Sequence, residues 1–266
     1  MNRKPVYLNY RATKALNPFG PTDTIAAQYL DRSDILLKRC TSRFEFFSDF
    51  LNTIATQSSG MDIRAVNNGT GAATSQRATD AANRVGLVRS GTGTTSTGRT
   101  GVSSAITAIR LSGGQWYYRI AVNVSVLSTV SERFQFIAGF QDSNSSSDQT
   151  DGVFFLYDEG GVSSGSAASA NWQCVTSNNS SRTFTTTSSA VGADTWVNLS
   201  ILVNAAATSV GFYINDVLVA THTTNIPTGS GRLVGFGWLL IKSAGTTERT
   251  VDIDYLMVQC DFTNSR

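Results

Sequence analysis

The sequence predicts an all-β protein, a two-sheet antiparallel jelly-roll sandwich, and three observations predict it. The first is Thr195–Thr223, which spells three consecutive strands. Val197, Leu199, Ile201 and Val203 alternate with Asn198, Ser200 and Asn204. Val210, Phe212 and Ile214 resume the alternation, and Val217–Ala220 follows Asn215-Asp216. A period of two puts one face in a core and the other in water, and an Asn-Asp pair tolerates the positive φ of a tight hairpin. The second observation is the spacing of turn signals, about 8–12 residues apart along the chain, the interval of sandwiches and jelly rolls. The third is composition. Charged residues are 15% of the chain, against about 25% in average domains. Ser, Thr, Asn and Gly must supply the polar surface, which suits hydroxylated sheet faces joined by many turns.

Residues 1–43 read as an extended arm with short helical turns. Pro18, Gly20 and Pro21 break any helix or ladder. Thr22 or Asp23 caps a turn over Thr24–Leu30, and Asp31–Asp34 caps a second over Ile35–Arg39. The apolar residues of the arm are too few to bury a core of their own, so it needs a partner surface. Charge agrees: residues 1–43 carry eight Lys or Arg and three Asp, +5 in a chain of net +2. A basic arm on a mildly acidic body suggests docking onto an acidic surface. Arg3, Lys4, Tyr7, Tyr10, Arg11 and Phe19 are its candidate anchoring residues.

The sandwich is expected over residues 44–262, with a short tail at 263–266. Phe44–Leu51 opens it. Alternating runs follow at Met61–Val66, Arg84–Arg89, Ala105–Leu111, Trp116–Leu127 and Phe134–Phe140. Gly91–Gly101, rich in Gly and Thr, reads as a long exposed loop or hairpin tip. Gln141–Thr150 (QDSNSSSDQT) and Gly160–Ala170 (GGVSSGSAASA) read as flexible loops around the apolar strand Gly152–Tyr157. Trp172–Thr176 and Arg182–Thr187 form a hairpin about Ser177–Ser180. Leu233–Ile241 and Thr250–Val258 close the domain. In the last run Val251, Ile253, Tyr255 and Met257 alternate with Asp252 and Asp254, which places both aspartates on a wet face. The total is roughly twelve or thirteen short strands, with no repeat of propeller or solenoid length.

The quoted runs FFSDFL, DGVFFLYDEG, NWQCVT, TWVNLSILVN, VGFYINDVLVATHTTNIPTGSGR and VDIDYLMVQ, taken in this order, resemble the concanavalin A-like lectin/glucanase sandwich (the laminin-G-like jelly roll) over about residues 44–260. In detail they are similar to versions found in virion proteins of tailed bacteriophages. The resemblance implies that the first and last strands pair, which brings Phe44–Phe50 beside Val251–Val258 and Cys40 near Cys260. It also implies a role in a virion, with homotrimers common among such proteins.

Candidate chemistry is sparse. Glucan-cutting enzymes of this fold set acidic residues at i, i+2 and often i+4 on one strand, because the reaction needs paired carboxylates. None of Glu45, Glu132, Glu159 and Glu248 stands in that pattern, so no catalytic residue is assigned and the chain reads as a non-enzyme. Asp252 and Asp254, two apart, are the pair whose removal would test a glycosidase. His222, the lone histidine, is expected at an exposed strand end, not in a triad. Cys40, Cys174 and Cys260 have no metal-ligand spacing and read as reduced thiols. Asp142, Asp148 and Asp151 offer the oxygen atoms calcium uses but lack EF-hand spacing, so no metal or other cofactor is assigned. Dispersed arginines without a stacking platform argue against nucleic acid. No run of about 18 apolar residues argues for a membrane span, and the first residues lack the apolar run of a signal peptide. Of Trp116, Trp172, Trp196 and Trp238, three are expected in the core. Trp172, beside the Gly160–Ala170 loop, is the expected glycan contact, with Asp142, Asp148 and Asp151 near it.

Two functions are expected. The first is a non-enzymatic structural protein of a phage particle, assembled in the host cytoplasm. It would be a capsid decoration (cement) or short head-fibre protein, homo-oligomeric, held to a major capsid or tail protein through residues 1–43. The second is a carbohydrate-binding receptor-recognition module of a short tail fibre, meeting host-surface glycan through the two flexible loops.

Overall fold

The structure, a computed structural model, describes residues 42–51, 63–79 and 83–264. Residues 1–41 of the arm, with Arg3, Lys4, Tyr7, Tyr10, Arg11, Phe19 and Cys40 and the expected helical turns, lie outside the described residues; Arg43, counted with the arm, opens the sandwich and pairs with Glu45 and Asp261.

Fifteen strands are described: β1 (Arg43–Ser48), β2 (Arg64–Asn68), β3 (Ala73–Arg77), β4 (Leu87–Gly91), β5 (Arg99–Ser103), β6 (Gly114–Val124), β7 (Phe134–Gln141), β8 (Gly152–Asp158), β9 (Ser169–Asn178), β10 (Ser181–Ala190), β11 (Trp196–Val203), β12 (Val210–Ile214), β13 (Val217–His222), β14 (Gly235–Lys242) and β15 (Thr250–Phe262). One sheet has the order β13-β12-β11-β6-β15-β4-β3, with β1 also paired to β15. The other has the order β10-β9-β8-β7-β14-β5-β2. Neighbours in both sheets are antiparallel, and consecutive strands change sheet at β1 to β2, β2 to β3, β4 to β5, β5 to β6, β6 to β7, β10 to β11, β13 to β14 and β14 to β15. Phe44 pairs with Cys260 and Ser48 with Leu256.

The core lies between the sheets. Trp116, Tyr118, Ile120, Val122 and Val124 alternate inward on β6, as do Leu199, Ile201 and Val203 on β11. Phe134, Phe136 and Phe140 meet them from β7, and Phe236, Trp238 and Leu240 from β14. The hairpin turns form as their residues allow: Asn215 and Asp216 have φ of 50° and 66°, and Asn179 and Ser180 have 52° and 66°. Two consecutive positive φ values match the right-handed twist of the flanking strands.

The structure corrects several expectations. Ala105–Leu111 is not a strand; it makes turns and a single bridge, Ile109 to Val234. Gly91–Gly101 is exposed only about residues 94–97 and is not a hairpin tip. It carries the chain from β4 in one sheet to β5 in the other, and Gly91, Thr92 and Gly93 are buried. The buried ammonium of Lys242 holds this crossover by donating to Gly93 O (3.1 Å) and Thr247 O (2.5 Å). Burial pushes its pKa down.

His222 is not at an exposed end but 3% exposed. Its Nδ1 lies 3.0 Å from Thr176 Oγ1 and its Nε2 2.9 Å from Thr185 Oγ1, so it ties β13 to β9 and β10 of the other sheet. Asp252 is not on a wet face but 1% exposed. Arg89 grips it with Nε to Oδ1 (2.7 Å) and Nη2 to Oδ2 (2.8 Å), and Arg77 adds a bond to Oδ2. The ion triad joins β3, β4 and β15.

Asp252 does face away from the core, as the alternation predicts, but Arg77 and Arg89 cover it; just beyond it lies a β-bulge that moves Tyr255 and Met257. Ile253 pairs with Val122 and Leu256 with Ile120, so Asp254 and Tyr255 together oppose Ala121. An extra residue shifts the alternation. Before the bulge Val251 and Ile253 face the core; after it Leu256, Val258 and Cys260 do, and Tyr255 and Met257 turn outward.

Candidate functional site

The outer face of the eight-stranded sheet carries a cluster of polar and aromatic side chains, and the bulge builds it. Asp254 and Tyr255 oppose the small Ala121, whose other neighbour across β6 is Asn198 on β11. A methyl group flanked by long side chains leaves a hollow. The result is a recess of about 220 Å³ lined by Asn83, Arg84, Ala121, Trp196, Asn198, Asp254 and Tyr255, with Val197 at its base.

Hydrogen bonds hold its walls. Tyr255 Oη accepts from Arg119 Nε (2.7 Å) and donates to Asn198 Oδ1 (2.8 Å). Arg119 is fixed in turn by Asp216 in the β12–β13 turn, with Nη1 to Oδ1 at 2.5 Å and Nη2 to Oδ2 at 3.3 Å. This carboxylate, and the hydroxyls of Tyr117 and Tyr255 that also accept from Arg119, push the guanidinium pKa further up. The same turn is pinned to the recess by Asn198 N donating to Asn215 Oδ1 (2.9 Å) and Asn215 N donating to Asn198 O (2.8 Å). Arg84 lies over the half-buried Trp196 indole, its guanidinium carbon 4.3 Å from the ring centroid. The Arg84 Nε is 4.0 Å from Asp254 Oδ2. The recess therefore presents an indole, a phenol, two amides and a charge-matched Arg–Asp pair. Such a set has the chemistry to meet a neutral ligand rich in hydroxyls.

The residues singled out from the sequence fall elsewhere. Trp172 is 2% exposed and packs among Phe136, Phe155 and Tyr157, with centroids 6.1, 6.5 and 6.2 Å away. The correction follows from register: Trp172 points inward with Cys174 and Thr176, while Gln173 and Val175 point outward. Three of the four tryptophans are indeed buried, but the half-exposed one is Trp196, not Trp172.

Asp142, Asp148 and Asp151 do not converge on a ligand. Asp148 Oδ1 accepts from Ser164 N (2.7 Å) and Arg182 Nη1 (3.0 Å). Asp151 accepts from Asn179 N (2.9 Å) and Arg232 Nη1 (3.2 Å). Burial pushes the Asp142 carboxyl pKa up. Among the described residues, no group of three or more His, Cys, Asp or Glu could hold a metal ion.

The two loops expected to be flexible serve as a cover. Ile137, Phe154, Leu156 and Val175 point away from the main core yet are buried, with Phe184 packed against them. The second loop lies over this outer face, with Gln135 Nε2 donating to Ser163 Oγ (3.1 Å) and Gln173 Nε2 to Ala167 O (3.2 Å). Gln149 closes the first loop on itself by accepting from Ser143 N (2.7 Å) and donating to Ser143 O and Ser146 O (3.1 and 2.6 Å). Arg182 ties the two together through Asp148 and Ser164 O. This second small core explains why β8 is apolar on both faces.

Sequence reasoning missed Arg84, Asn198, Asp254 and Tyr255 as a group. The available signal was the phase change in VDIDYLMVQC, where apolar residues occupy odd positions before Asp254 and even positions after Tyr255.

The model of the SO2946-like, C-terminal domain family matches residues 83–254, and the chain belongs to that family. Among solved structures, the chain is similar to the protein of unknown function SO2946 from Shewanella oneidensis MR-1, with a TM-score of 0.61 and 13% identity over 93% of this chain and 98% of that one. It is also similar to peanut lectin (TM-score 0.53, 9% identity, 82% and 97% of the two chains). A third likeness is to an endo-1,3-beta-glucanase from Streptomyces sioyaensis (0.51, 9%, 82% and 96%). At these identities the likeness shows the fold alone: the described sandwich is a concanavalin A-like lectin/glucanase jelly roll, a fold that hosts both binding proteins and enzymes. No curated protein matches in sequence.

Proposed function

We propose that this member of the SO2946-like C-terminal domain family is a non-catalytic carbohydrate-binding module, displayed on a larger particle to which its N-terminal arm attaches. The observation that carries the glycan half is the recess at Trp196. Sugar recognition needs an apolar surface for the C–H face of the ring and planar polar groups for adjacent hydroxyls. The part of the Trp196 indole left open beside Arg84 offers the first; Asn83, Asn198, Asp254 and Tyr255 offer the second. Peanut lectin has the same sandwich, which supports the reading by fold analogy only.

Two observations favour binding over cleavage. Both oxygens of Asp252 are held by arginines, so it is not placed to pass a proton to a ligand. Asp254 then has no second carboxylate among the residues that line the recess. A glycan array with the full chain tests the reading. Binding is expected, with Trp196→Ala weakening it by about tenfold or more, the scale of one lost aromatic contact. Release of new reducing ends from a polysaccharide, abolished by Asp254→Ala, would replace the module with a glycosidase.

The particle half rests on the arm's sequence: +5 of charge within residues 1–43 and apolar side chains too few for a core. The phage-virion resemblance makes that particle a virion and the protein a capsid decoration or short fibre. Deletion of residues 1–41 is expected to leave a soluble module that no longer occupies particles. A truncated protein that still saturated them would remove the anchor.

A further inference from the structure

We infer that the sugar bound at Trp196 carries an N-acetyl group. This rests on the glycan reading above and narrows it to one class of sugar. Two recesses share Trp196 and Val197 in their linings. The polar one opens on the outer face of the eight-stranded sheet. The other, of about 140 Å³, lies at the end of the sandwich where β10 passes over to β11. Strand ends build it: Val124 closes β6, Ser189 and Ala190 close β10, and Ile214 closes β12.

The two recesses ask for different chemistry. Val124, Trp172, Val191, Val197 and Ile214 make the second one apolar. A sugar hydroxyl pressed against these five side chains would lose its water with no partner in return; the polar side chains of the lining are Ser189, Thr195 and Asn215. A methyl group would bring no such loss and would gain from leaving water. Ser189, Ala190, Gly192 and the exposed Thr195, with its hydroxyl, complete the lining. That hydroxyl donates to Ala193 O (3.1 Å) and keeps lone pairs for an amide N–H. A hexose lying along Trp196, with its hydroxyls in the polar recess, is therefore completed by a short substituent that begins with an amide and ends in a methyl. The acetamido group has that form. Charge does not favour an acidic sugar instead: Arg84 stands beside Asp254, and Arg119 is committed to Asp216.

The test uses the full chain on an array of neutral hexoses and their 2-acetamido counterparts, followed by saturation-transfer NMR on the best ligand. The acetamido sugars are expected to bind at least about tenfold tighter than their parents, the scale of a methyl-sized group in an apolar pocket. The acetyl methyl protons are expected to receive the strongest saturation. Ser189→Leu and Thr195→Leu fill the apolar recess from half-exposed and exposed positions, so both are expected to fold; each should remove the preference and leave the parent hexose bound as before. Trp196→Ala should weaken both sugars. Equal binding of parent and acetamido sugar, or a preference kept in both leucine variants, overturns the N-acetyl inference and leaves the glycan module standing. A wild-type chain that binds no sugar overturns the module and this inference with it.

Discussion

Removing the carboxylate of Asp252 separates a structural aspartate from a catalytic one. Asp252 is the centre of an ion triad on three neighbouring strands, β3, β4 and β15. Its side chain is 2% exposed, while Arg77 and Arg89 are 37% and 36% exposed. The asymmetry sets the magnitude. Truncating one partner of a fully buried pair costs about 3–5 kcal/mol, because the other charge is stranded. Here water can reclaim both guanidinium groups, so the loss reduces to charge-assisted hydrogen bonds partly screened by solvent, about 2–3 kcal/mol for Asp252→Ala. Asp252→Asn keeps the shape and some of the bonds and should cost less, about 1–2 kcal/mol. Urea titration followed by circular dichroism measures both, as a lowered midpoint with an unchanged slope. Because Asp252 is shielded from ions, 1 M salt should remove little of the difference between wild type and variant. A midpoint for Asp252→Ala within about 0.5 kcal/mol of wild type would refute the triad as a structural element and return Asp252 to the list of candidate acids.

Three further outcomes are expected. Ile214→Ala should lose about 2–5 kcal/mol by the same titration, since it deletes buried methyl groups beside Phe212 in a packed core. Stability should fall as pH drops below about 6.5, the ordinary imidazole value: burial lowers the His222 pKa, so the unfolded chain takes up a proton that the folded one refuses. The slope from this group reaches at most about 1.4 kcal/mol per pH unit, and His222→Gln should flatten the profile between pH 5.5 and 7.5; an unchanged profile would show that His222 titrates freely. Arg182→Ala should loosen the cover formed by the loops at 142–150 and 160–168, seen as faster amide exchange in both loops and in β8, while glycan binding is unchanged. A lost glycan signal in that variant would move the site back to the loops.

What could be read from the sequence was local. The three strands of Thr195–Thr223 were legible because alternation and an Asn-Asp turn both act within a few residues. β3 (ATSQR) and β5 (RTGVS) were not, since neither alternates strongly. They are strands because β4, β14 and β2 pair with them, and partners distant in sequence leave no periodic mark. The neighbourhood of Trp172, a loop of small polar residues, suggests a surface position, but its register on β9 turns it into the core. Trp196 opens a strand whose other end is core, and only the chain's passage across β6 to the bulge at Asp254-Tyr255 brings Arg84, Asn198 and the indole to one place. The loops at 141–150 and 160–170 misled for a physical reason. Small polar residues are what a cover needs where it must fold closely over Phe154 and Leu156 and still present Ser, Gln and backbone groups to bond.

The most direct measurement is an amide chemical-shift map of the full chain titrated with its best array ligand. The account predicts that the perturbed amides cluster at 83–84, 121, 196–198 and 254–255, on both sides of the bulge and the indole. Shifts confined to 142–151 and 160–170, with that cluster silent, would contradict it.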